Sequence, residues 1–257
     1  MIHPRALVDS AAELDEGVRV GAHAIVEAGV RIGAGSSIGP HAIVRSGTRM
    51  GRDNRIFQFA SVGEDPQDKK YGGEATELIL GDRNVVREFV TLNRGTAQDA
   101  GATRIGDDNL LMAYIHVAHD CQIGNHCILA NAASLGGHVQ VADYAILGGF
   151  TIVHQFCRIG RHSFSQMGSM VQKDIPPYVL VGGHPAESHG INAEGLKRRG
   201  FSSDTIQTIK RAYRKLFKTR GLLLGEAARQ VEAELGGVPE VRELLDFIAS
   251  SRRGVIR

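Results

Sequence analysis

The chain has 257 residues, 42% of them apolar and 23% charged, with a formal net charge of +2. This is the balance of one large globular domain, or of one with a small companion, and it gives no sign of nucleic-acid binding. No apolar run approaches the roughly 18 residues of a membrane span. Met1-Ile2-His3-Pro4-Arg5 is not a signal peptide, and three cysteines argue against a disulfide framework, so a cytoplasmic location is expected.

From the first residues the chain repeats. Stepping by six from Ile2 through Val8, Leu14 and Val20 to Val62 meets only Ile, Leu, Val or Met. A polar insertion at 63–79 interrupts the ladder, which resumes at Leu80, Val86 and Leu92. A second insertion covers 93–104. The ladder then runs from Ile105 to Ile159, misses at Ser165 and closes at Val171. A period of six fits neither an α-helix nor a hairpin meander. It predicts short parallel strands joined by corners, with one aliphatic side chain per turn pointing inward. Three turns make a triangular coil, and coils stacked about 4.8 Å apart form a prism roughly 40 Å tall. Glycine often follows the aliphatic residue, as at Gly21, Gly39 and Gly106, and is expected to serve the backbone conformation of the corner. Insertions in such solenoids become loops, often at the binding face.

Past about residue 190 the period changes. The sequence predicts a helix capped by Ser203, with Ile206, Ile209, Ala212, Tyr213, Leu216 and Phe217 on one face, ending near Gly221. A second helix is predicted at 225–235 and a third after Pro239. The expected organisation is a β-helix at 1–189 and a helical domain at 190–257, joined by a connector at Gly182–Gly190.

The 18-residue coil also stacks residues. Gly137 lies 18 positions after His119 and is followed by His138. Gln155 lies 18 beyond Gly137, beside His154. His119, His138 and His154 therefore share one edge, with Asp120 directly under His138. None occupies an inward position, so these side chains are expected to face outward or lie at a corner. A neutral imidazole takes up a proton near neutral pH, and a carboxylate orients it. Gly137 offers an unobstructed N–H for an oxyanion. A histidine at a corner is usually only a solvated polar residue, but three in one column favour a site. His116-x-x-His119-x-Cys121 also reads as a metal site. Against that, Cys121, Cys127 and Cys157 all fall at the fifth place of a hexapeptide, the spacing of interior filler. Lys197-Arg198-Arg199 is either a solvated charge run or a phosphate contact.

Several segments together resemble one family. They are Asn109-Leu110-Leu111-Met112, His116-Val117-Ala118-His119-Asp120, Gly136-Gly137-His138-Val139, Val153-His154-Gln155-Phe156-Cys157, and the run from Asn192 to Phe201. With the loop Gln67 to Glu74, they resemble the UDP-N-acetylglucosamine O-acyltransferases of lipid A biosynthesis over nearly the whole chain. The resemblance implies a left-handed parallel β-helix, an exception to the usual right-handed crossover. It implies a homotrimer with active sites between neighbours. The implied donor is a 3-hydroxyacyl chain on acyl carrier protein, with no cofactor and no metal, and the implied acceptor is the 3-hydroxyl of UDP-N-acetylglucosamine. By the same match His119 is the general base, Asp120 supports it and Gly137 supplies the oxyanion N–H. His116, His138, His154 and Gln155 fall among the substrate-binding residues. Asn192, Glu194, Arg198 and Arg199 match the nucleotide-contacting segment, and Asp68 and Lys70 the loop near sugar and donor. Met167 matches the acyl-chain ruler, where glycine leaves room for a longer chain, so a donor of about ten carbons is expected at about 0.8 kcal/mol per methylene denied burial. Two positions depart from the family, Asn93 where histidine is frequent and His184 where asparagine is usual. A γ-class carbonic anhydrase would explain the histidines as zinc ligands but not the helical tail. Another hexapeptide acyltransferase and a purely structural β-helix are the remaining alternatives.

Overall fold

A computed structural model describes residues 1–219 and 221–257. The ladder folds into a parallel β-helix with three faces, sheets of nine, eight and ten strands whose neighbours along each sheet are one coil apart. Most strands are two residues long, the second side chain buried and the first at least partly exposed. Register follows the 18-residue step, with His116 paired to Ser134 and Gln122 to Gln140. The steps lengthen at the insertions, where Ser61 pairs with Thr91 and Thr91 with His116. Strand pairing continues into both, through Ser61–Glu64 with Thr91–Asn93 and Glu77–Leu80 with Ala102–Ile105.

The inward aliphatic residues form one continuous core, which the three buried cysteines join. Ser165 also points inward and is fully buried, its hydroxyl 2.9 Å from Thr151 Oγ1. Two polar side chains that bond each other thus replace one aliphatic contact. A second interior device escaped the ladder. Asn54, Asn84 and Asn109 are buried in register, and each amide bridges to the backbone of the next coil.

The corners correct the expected role of glycine. Gly21, Gly39 and Gly106 do not have left-handed backbone; a Cβ there would lie within 2.6–2.8 Å of backbone atoms in the next coil. Close stacking of coils requires them. The left-handed corner residues are mostly not glycine. His23, His41, Phe59, Phe89 and Tyr114 all have φ between +58° and +66°. Such a conformation costs on the order of 1–2 kcal/mol each. Here the rings stack in a column with centroids 5.0–5.3 Å apart, an arrangement that offsets the cost.

The expected connector is an antiparallel hairpin, Val179–Gly183 with Ala186–Ile191, which extends the ten-stranded sheet. Four helices follow: α1 (Ala193–Arg198), α2 (Ser203–Lys218), α3 (Leu224–Leu235) and α4 (Pro239–Ser250). The short α1 was not expected, since six residues carry too little periodicity to see. The cap of α2 is Ser202, whose hydroxyl accepts from Thr205 N, and not Ser203. Its predicted face is buried from Ile209 to Phe217. Among the described residues no helix is long and apolar enough to cross a membrane.

Candidate active site

The corner between the nine- and eight-stranded sheets carries Asp120, His138 and Phe156 one above another, each with positive φ. His119, adjacent to Asp120, stands edge-on to His138 with centroids 5.0 Å apart, and His138 stacks on Phe156 at 4.4 Å. His119 Nδ1 lies 2.9 Å from Asp120 Oδ2. That bond puts a proton on Nδ1 and leaves Nε2 as the basic nitrogen. Gly137 packs against the flat of this ring; a Cβ there would come within 2.7 Å of His119 Cε1. The column is thus assembled as the 18-residue register requires.

Asp120 lies at a corner, as expected, but it is buried there. The second insertion covers it. Thr96 N donates to Oδ1 at 2.9 Å and Thr96 Oγ1 donates to Oδ2 at 2.6 Å. From the same loop Asp99 Oδ2 reaches His138 Nδ1 at 2.7 Å. Two histidine–carboxylate pairs therefore stand side by side. Neither Thr96 nor Asp99 was among the sequence candidates; the available signal was that an insertion interrupts the ladder one coil before His119. His116 is held by Thr91, Oγ1 to Nδ1 at 2.8 Å. Its pKa is lowered by burial first and then by His119, which favours the neutral ring.

The carboxylate of Asp120, with His119 and His138, offers three atoms within 4.8 Å that could hold a metal ion. The motif reading that included Cys121 is not met, because its Sγ is buried and donates to Gly136 O at 3.2 Å. Burial pushes the Cys121 thiol up to about 12, far from a thiolate ligand.

A cleft of about 740 Å³ opens beside the column, bounded by Asp99, Asp120, His138, Phe156, Arg158 and Arg253. A larger one, about 840 Å³, lies between α4 and the eight-stranded sheet and shares Gln122, Gln140 and Arg158 with it. It contains no histidine, so the smaller cleft is the chemical one.

The other candidates lie elsewhere. His154 and Gln155 are exposed one coil beyond Gly137. Asn192 caps α1 with Oδ1 and donates from Nδ2 to His162 O at 3.0 Å. Glu194, Arg198 and Arg199 are exposed, and Arg199 lies over the Tyr144 ring at 4.6 Å. Tyr144 belongs to a different corner column, His126–Tyr144–His162, across the eight-stranded sheet from His119. Met167 is 81% exposed and sits on the third corner, beside Gly168, whose N–H donates to Gly149 O. Asp68 and Lys70 form a turn in the first insertion, Lys70 N donating to Asp68 Oδ1 at 3.0 Å. Asn93 is buried, and its amide donates to Glu64 O and Asp65 O at the root of that loop. One chain thus gathers His116, His119, Asp120, Gly137 and His138, and leaves the matched nucleotide segment and Met167 at two other corners.

A β-helix of six-residue turns with a histidine–carboxylate corner defines a hexapeptide-repeat transferase. Residues 102–137 match the bacterial transferase hexapeptide family and 174–256 match the family described as UDP N-acetylglucosamine O-acyltransferase, domain 2. The acyl-[acyl-carrier-protein]–UDP-N-acetylglucosamine O-acyltransferase of Halorhodospira halophila is 57% identical over 256 residues, covering 100% of this chain and 99% of its own. That of Janthinobacterium sp. is 54% identical, with the same coverage. Among solved structures, LpxA from Acinetobacter baumannii superposes with a TM-score of 0.96 at 45% identity, covering 100% and 99% of the two chains. The UDP-N-acetylglucosamine acyltransferase of Bacteroides fragilis gives 0.98 at 42%, covering both completely. The fold is a left-handed parallel β-helix with a small helical region. The chain belongs to the acyl-[acyl-carrier-protein]–UDP-N-acetylglucosamine O-acyltransferase family, and it is an enzyme.

Proposed function

We propose that this chain transfers a 3-hydroxyacyl group from acyl carrier protein to the 3-hydroxyl of UDP-N-acetylglucosamine in the cytoplasm, with His119 as general base. Family membership supports the reaction. The observation that carries the mechanism is the His119 Nδ1–Asp120 contact of 2.9 Å, with the ring lying over Gly137. His119 Nε2 removes the proton of the 3-hydroxyl as its oxygen attacks the thioester carbonyl. The tetrahedral oxyanion is held by the Gly137 N–H. Collapse breaks the C–S bond, and the leaving thiolate takes the proton back from His119. Asp120 keeps the ring in the working tautomer and balances its transient charge. Each catalytic step uses side chains and backbone alone, so the acyl donor is a co-substrate and no cofactor enters.

His116, His138, His154 and Gln155 contact the substrate, His138 from the wall of the cleft. Asn192, Glu194, Arg198 and Arg199 hold the nucleotide, with the arginines on phosphate, and Asp68 and Lys70 reach sugar and donor from their loop. Those groups occupy separate corners of one chain, so the site is completed by neighbours in a homotrimer. Met167 ends the acyl pocket and selects a donor of about ten carbons.

The direct test offers UDP-N-acetylglucosamine with a panel of acyl carrier protein thioesters. The expected product carries the acyl group on the 3-oxygen. Turnover only with acetyl-coenzyme A, or stoichiometric zinc with hydration activity, would overturn the reading.

A further inference from the structure

The segment after α4 returns to the β-helix. Ser251 Oγ donates to the buried Asp174 carboxylate at 2.7 Å, and its other oxygen accepts from Arg158 N at 2.8 Å. Asp174 N donates to Gly254 O and Ile256 N to Asp174 O, while Val255 and Ile256 are buried. A segment tied down in this way is ordered, not frayed. It brings Arg252 and Arg253 to the cleft that holds Asp120 and His138. Neither the six-residue ladder nor the matched segments point to Arg253.

Arg253 Nη2 lies 3.2 Å from His154 Nδ1. Its Nε is buried and has no partner among the described residues. A guanidinium carries donors only, so the contact requires a lone pair on His154 Nδ1. The same nitrogen lies 3.1 Å from Gln155 O, which would require a proton there instead. The two are exclusive. The arginine contact prevails, because a proton on Nδ1 would face a fixed cation, whereas the carbonyl of the exposed Gln155 has water as an alternative partner.

We infer that Arg253 is a positioning residue: it fixes His154 in the tautomer protonated at Nε2, so that His154 presents one N–H donor to an oxygen of the bound nucleotide sugar. This rests on the reading of His154 as a substrate contact. Arg253 itself touches no reacting atom.

The test uses the full chain labelled with ¹⁵N at histidine, observed at about pH 8, where imidazole is neutral. The His154 signals are assigned by their loss in His154→Gln. The wild type is expected to show one Nε2-protonated tautomer, Arg253→Met a mixture, and Arg252→Met the wild-type pattern. With Arg253→Met, kcat/KM for the nucleotide sugar is expected to fall in proportion to the Nε2-protonated fraction that remains, about twofold for an even mixture. Arg253→Lys, which keeps the charge and a donor group but not the planar fork, recovers part of both readouts and serves if Arg253→Met does not fold. An Nδ1-protonated His154 in the wild type, an unchanged tautomer in Arg253→Met, or an equal shift in Arg252→Met overturns the inference. The spectra need no substrate. A wild type with the expected single tautomer but no transfer to UDP-N-acetylglucosamine therefore counts against the function reading instead.

Discussion

His119 and Gly137 compete for the same space, and that makes the pair testable. His119→Ala removes the proposed base and is expected to lower kcat by about a hundredfold to ten-thousandfold. The ring is 16% exposed and bonds buried Asp120, so its loss is also expected to cost about 1–3 kcal/mol of stability; a folded variant with full turnover rejects His119 as base. Gly137→Ala leaves the oxyanion N–H in place but puts a methyl within 2.7 Å of the ring. Its kcat is expected to fall at least about tenfold from displacement of His119 alone. A crystal structure of that variant with the His119 ring unmoved would refute the packing argument. These residues were legible because the 18-residue step converts sequence distance into vertical stacking. Thr96 and Asp99 were not, because their loop breaks the step and nothing local says that it folds back over Asp120. Arg253 is harder still, lying 99 positions from His154.

Elements show the same division. The ladder strands follow a strict period and were legible throughout, whereas the connector hairpin and α1 are too short or too irregular to show one. The aromatic columns at the other two corners were not read, since the ladder marks only inward positions. They still govern stability. His162 sits in its column between Tyr144 and Tyr178, and burial, followed by the charges of Arg161 and Arg199, lowers its pKa to about 4. The folded state then resists a proton that the unfolded chain accepts near the ordinary histidine value of 6.5. Between these limits the unfolded state binds more protons, so stability falls with falling pH by up to about 1.36 kcal/mol per unit. It is fully present above pH 6.5 and lost as the pH drops toward 4. His162→Phe is expected to flatten this part of the melting-temperature profile, and an identical slope in both proteins would count against it. The second insertion is an element of the site in the same sense. Thr96→Val deletes the hydroxyl that donates to buried Asp120 and is expected to cost about 1–3 kcal/mol of stability as well as activity. Thermal melts and turnover of the variant measure both.

At the scale of the whole molecule, the proposed site is not completed by a single β-helix. Its catalytic corner, its matched nucleotide segment and Met167 lie on three different edges. Phe150, Ile152 and Met167 are 69%, 55% and 81% exposed around one of them, apolar surface that a neighbouring subunit would cover. A light-scattering mass near three times 27.7 kDa is therefore expected, and a monomer that retains full turnover would remove the reason for a shared site. Within that assembly Met167 would close the end of the acyl pocket from the neighbouring edge. Met167→Gly should then lengthen the pocket. Four further methylenes at about 0.8 kcal/mol each amount to roughly 3 kcal/mol, on the order of a hundredfold in relative rate. The ratio of fourteen- to ten-carbon donor turnover should rise by up to that factor in Met167→Gly, with the ten-carbon rate little changed. A ratio that stays at the wild-type value would mean that the chain length is set at another corner of the prism.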